Sequence, residues 1–100
     1  MTITHNFIFT GPSTMDEVRG TLRLAELAVE SIYGHDRVHL ETHASLDERL
    51  RCCAIDTSSK VGRVLATVFA GFIRQEFGSD GVRVQRITTH HHHDSIGGEQ

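Results

Sequence analysis

Cysteine is scarce in this chain: there are two in 100 residues, and they are adjacent, Cys52 and Cys53. Neighbours in sequence bridge only through a strained ring, so no disulfide framework staples the fold. Positive charge is not in excess either, with 10 Lys and Arg against 13 Asp and Glu and a net charge of −3. That balance argues against a non-specific nucleic-acid binder, which needs a basic face to displace counterions. No apolar run approaches the roughly 18 residues a membrane helix needs. The opening "MTITHNFIF" lacks the basic and long apolar regions of a secretory signal. Free thiols without an export signal set the expectation of a cytoplasmic protein with no membrane association. A Walker phosphate loop, an HExxH zinc motif and the RNP pattern of RNA-binding sheets are all missing.

What is present is ordinary for one soluble domain: 38% hydrophobic and 23% charged residues. A chain of this length can bury a single core without staples. We place that domain at residues 1–88 and a His-rich tail, expected to be mobile, at 89–100.

Residues 2–10 alternate and are rich in β-branched and aromatic side chains, which predicts a strand with Ile3, His5, Phe7 and Phe9 on one face. Gly11-Pro12 ends it. A helix follows, with Thr14 and Glu17 at capping-box spacing and Gly34 at its end. Met15, Val18, Leu22, Ala25, Val29 and Ile32 form its core stripe. Val38, Leu40 and Thr42 alternate with His39, Glu41 and His43, and Leu50, Cys52 and Ala54 alternate with Arg51, Cys53 and Ile55. These read as two strands around a turn near Asp47. A second helix, capped by Ser58 or Ser59, runs to Gly78, and "VRVQRIT" is a last strand. The order β-α-β-β-α-β is the ferredoxin-like, split-βαβ plan: an α+β sandwich of a four-stranded antiparallel sheet with two helices on one face.

The helices carry more apolar surface than such a sandwich needs. A helix covering a sheet requires an apolar arc of roughly 100–140°. In the second helix Val61, Val64, Leu65, Val68, Phe69 and Phe72 supply it. Gly62, Ala66, Ala70, Ile73 and Phe77 then widen the arc to roughly 220°. In the first helix Leu24 and Leu27, beside Gly20 and Ala28, lie away from the core stripe. Packing of one helix on the other would absorb some of this surplus. A self-association surface built on Gly20, Leu24, Leu27, Gly62, Ala66 and Ala70 would absorb it too, giving a homodimer or higher homo-oligomer or a site for another protein. Ile8, Ile55 and Ile87 could add apolar area on the open face of the sheet.

Four places bear chemistry. His39, Glu41 and His43, on a strand, would share a face and could hold Zn or another transition metal; a solvated polar strand face has the same pattern. His90, His91, His92 and His93 would bind Zn or Ni as any flexible imidazole run does, without preorganising a tetrahedron. Ser58, Ser59 and Lys60 join a strand to a helix start, where free N–H groups attract anions; helix capping explains the same serines. Cys53 or Asp56 with a histidine would be the minimum for thiol or acid–base catalysis, but no third orienting residue is evident, and strand cysteines are usually just small hydrophobes. Self-association is the leading expectation, metal handling an alternative, and thiol-dependent catalysis a third.

Overall fold

The computed structural model describes residues 1–89. The elements are β1 (Thr2–Phe9), α1 (Met15–Tyr33), α2 (His35–Glu41), β2 (Ala44–Asp47), β3 (Cys52–Asp56), α3 (Lys60–Phe77) and β4 (Val82–Thr89). The sheet order is β2-β3-β1-β4, with every neighbouring pair antiparallel. This is an α+β fold of a four-stranded antiparallel sheet and three helices.

The helix starts are set by side chains that satisfy free backbone donors. Glu17 N donates to Thr14 Oγ1 at 3.1 Å and Thr14 N donates to Glu17 Oε1 at 2.8 Å, a reciprocal capping box. Ser59 caps α3, its Oγ accepting from Gly62 N at 2.9 Å. α1 and α3 pack on the sheet face that carries Phe7, Phe9, Cys53 and Ile55, all buried. Phe69 of α3 meets Phe7 edge-on at 4.9 Å and Phe9 at 6.5 Å between centroids, a geometry favoured by the ring quadrupoles. Alternation puts Thr4, Asn6, Ile8, Cys52 and Ala54 on the opposite face. Ile55 therefore belongs to the core and not to that open face, because its register partner is His5 and not Thr4.

The largest departure from the expected pattern is at 35–47. Residues expected to form a strand are the helix α2, and β2 is Ala44–Asp47, the stretch expected to be a turn. The period-two reading required Val38 and Leu40 to be buried together. Only Val38 is, and Leu40 stays 75% exposed. Gly34, with φ +90°, ends α1 and starts α2, a conformation that strains any residue with a Cβ. Arg37 then ion-pairs with Glu41 one turn on at 2.9 Å and lies 5.0 Å from the Tyr33 ring centre.

The β2–β3 turn is held by a residue in an uncommon conformation. Arg51 has φ +53°. Its guanidinium donates to the carbonyls of Phe9, Gly11 and Ser13 at 3.1, 3.0 and 2.6 Å, and Phe9 N donates back to Arg51 O at 2.9 Å. The side chain thus fixes the β1–α1 connection to the hairpin. Charge-assisted bonds to carbonyls offset the backbone strain.

Candidate functional site

The outward surface of the helical layer leaves large apolar side chains exposed. α1 buries Met15, Val18, Thr21, Leu22, Ala25 and Val29. On its outer side Leu24 is 59% exposed and Leu27 44%. Ile32, expected in the core stripe, is 68% exposed at the end of the helix. Gly20 stands one turn before Leu24, and an added Cβ there would meet nothing within 4 Å. A groove lined by Thr21 and Leu24 of α1 and Phe72, Gln75 and Glu76 of α3 runs beside the stripe.

α3 disposes of its surplus differently. Its buried residues are Val61, Gly62, Leu65, Ala66, Phe69 and Ile73. The arc is rotated from the expected one, so Val64, Val68 and Phe72 are half-buried at the edge of the layer. Gly62 and Ala66 are therefore corrected from self-association residues to core residues. A Cβ at Gly62 would collide with the Asp56 carbonyl oxygen, so the glycine is needed for α3 to approach the end of β3. Ala70 is half-buried beside Phe7, Ile73 and Val82. Of the six residues expected to form that surface, Gly20, Leu24 and Leu27 remain outward.

A second feature is a cleft of about 570 Å3 between α1, α2 and the start of β2. Arg23, Glu26 and Glu30 line one side and His35, His39, Thr42, His43 and Ala44 the other, with Val38 at its base. His35 Nδ1 lies 3.4 Å and Arg23 3.7 Å from the same Glu30 oxygen. Arg23 also approaches Glu26 at 3.6 Å. The rings of His35 and His39, one helical turn apart, stack at 5.8 Å. The expected set of His39, Glu41 and His43 is not assembled as a strand face. Two of the three are on a helix two residues apart, and Glu41 is paired with Arg37. Among the described residues no three His, Cys, Asp or Glu stand together as a group able to hold a metal ion. His90 to His93 lie outside the described residues.

The cysteines divide as neighbours on a strand must. Cys53 is fully buried and Cys52 half-buried on the other face. Burial, with smaller contributions from Cys52 and Glu26, pushes the Cys53 thiol up to about 12. Burial and then Asp47 push Cys52 up as well. Neither environment generates a thiolate nucleophile at neutral pH. Asp56 is partly buried, which opposes ionisation, yet Ser58 and then His43 hold its carboxyl below the usual range. Ser58 N donates to Asp56 Oδ1 at 2.8 Å, and Ser58 Oγ accepts from Ile3 N at 3.2 Å. Ser59 Oγ donates to Glu41 O at 2.6 Å besides capping α3. Both hydroxyls of the expected anion site with Lys60 are thus engaged in the fold, next to an ionised carboxylate.

Compared with protein-family models, with curated proteins and with solved structures, the chain matches none. Sequence reasoning missed the cleft, because it depends on α2. The signal was there in the spacing of His35, His39 and His43, four residues apart, which is helical and not strand periodicity. It also missed Arg51, whose role rests on contacts some 40 residues away that no local pattern encodes.

Proposed function

We propose that this chain is a self-associating binding module, acting by assembly and not by catalysis. The observation that carries the reading is the exposed Leu24 and Leu27 on the outer side of α1, in a chain whose core closes without them. Contiguous exposed apolar side chains at helical spacing are the usual mark of a partner surface. The raised thiols of Cys52 and Cys53 weigh against thiol catalysis. The sheet order, 4-1-3-2 when read from the β4 edge, supports placing the chain in the ferredoxin-like, split-βαβ plan, with α2 as an extra helix in the first connection. A cytoplasmic setting goes with two free thiols. Among the described residues no helix is long and apolar enough to cross a membrane. Sedimentation velocity from low to high micromolar protein tests the reading. A mass that rises from one chain to two or more supports it, and a single-chain mass throughout overturns it.

One observation favours a second reading, the handling of Zn or Ni: His35, His39, His43, Glu26 and Glu30 line one cleft. Imidazoles and carboxylates are the right donors for such ions. Binding there would require the side chains to re-orient. Metal analysis of chain ending at Thr89, purified without a nickel column, decides it. About one ion per chain, lost on His35→Ala with His39→Ala, supports the reading, and metal-free protein contradicts it.

A further inference from the structure

We infer that the occupant of the α1 outer face is a second copy of this chain, with the two α1 helices antiparallel about a twofold axis between Leu24 and Leu27. The inference rests on the self-association reading and specifies its surface. Gly20, Leu24, Leu27 and Ser31 are spaced four, three and four residues apart, which is the alternation of a helix–helix seam. The stripe itself carries no charge. Its two flanks differ. Toward α3 lie Thr21 and Ala28, both neutral. Toward the cleft lie Arg23, whose side chain is 57% exposed, and Glu30, about two turns further on and 17% exposed, which approach each other within the chain at 3.7 Å.

This asymmetry selects the partner and its direction. A helix laid antiparallel across the stripe, with Leu24 opposite the other copy's Leu27, brings Arg23 of each copy to within about two residues, roughly 3 Å along the axis, of Glu30 of the other. Both charges are then met twice by the symmetry. A parallel arrangement would set Arg23 of each copy against the neutral Thr21 and Ala28 flank of the other, so no charge would be met across the seam. Gly20 has open space above it and lets the other copy's Ser31 end approach closely. The open face of the sheet offers no comparable match. Its exposed members are Ser45, Asp47, Arg83, Gln85, Ile87 and Thr89, among which Ile87 is the one large apolar side chain.

The test is a charge swap read across copies. Arg23→Glu leaves that flank with acids alone, Glu26 among them, and Glu30→Arg sets a second base near Arg23, so neither variant regains the pair between its own copies. Each alone should associate at least about tenfold more weakly than wild type. Mixed one to one, they should associate about as tightly as wild type, because each copy now supplies what the other lacks. Far-UV circular dichroism verifies that both are folded, and Leu27→Glu, at an exposed site, serves as a second disrupting variant. A mixture no tighter than its components, or undiminished association of Leu27→Glu, overturns the α1 interface while self-association through another surface stands. Wild-type protein that stays a single chain at every concentration overturns both.

Discussion

α1 and α3 carry the same excess of apolar residues, and the fold uses it in opposite ways. In α3 the surplus turns inward. Gly62 sits against the Asp56 carbonyl, and Ala66 is packed in the core. In α1 the surplus turns outward at Leu24 and Leu27. An apolar arc wider than a sheet requires therefore has two physical meanings. Small residues let elements of one chain approach, whereas large residues left outside ask for a second molecule. Residue size within the surplus distinguishes the helices better than the width of the arc does.

The sharpest way to break this contrast is to place the same charge on both helices. Ala66→Glu buries a carboxylate with no cation beside it and should cost about 4 kcal/mol or more, enough to unfold a domain of ordinary stability. Urea denaturation checks it. A folded Ala66→Glu protein with only its association changed would mean that Ala66 belongs to the outer surface after all.

Gly62→Ala should follow at about 2 kcal/mol of destabilisation, since the added methyl must push α3 off the end of β3. Gly71, on the same helix, has open space where its Cβ would stand. There an alanine should act with the opposite sign and stabilise the chain by about 0.5–1 kcal/mol through helix propensity alone. The midpoint of thermal unfolding, measured for the two variants side by side, reads both signs at once.

The adjacent cysteines show the inward and outward contrast within one strand. Cys53 keeps its proton in the folded state up to about 12 against an ordinary value of 9.0. Between those values the folded chain binds more protons than the unfolded one, so stability is full below the lower value and falls as pH rises toward the upper. The slope approaches about 1.4 kcal/mol per pH unit from this one group. Urea midpoints from pH 8 upward should therefore decline less steeply in Cys53→Val than in wild type. Equal slopes would show that the Cys53 thiol is not desolvated.

The parts of the fold with local signals were legible in the sequence. β1, the capping box at Thr14 and Glu17, both long helices with their terminal glycines, and β3 all follow from neighbours within a few residues. The segment from His35 to Asp47 was not, because a run such as Val38-His39-Leu40-Glu41 satisfies strand alternation and helix alike. The tie was broken from outside it, by Gly34, by the Arg37–Glu41 pair and by burial of Val38 alone. The exposure of the residues proposed for self-association was half legible. Leu24 and Leu27 stand where the wheel puts them. Gly62 and Ala66 do not, since the rotation of α3 is fixed by Phe69 against Phe7 and Phe9 across the sheet.

The most direct measurement is sedimentation velocity of Leu24→Glu beside wild type at matched high concentration, with circular dichroism of both. The account predicts a wild-type dimer and a Leu24→Glu chain that is folded and monomeric, because the side chain at position 24 is more than half exposed in the isolated chain. A Leu24→Glu protein that remains as associated as wild type would contradict the claim that α1 turns its surplus outward to meet a partner.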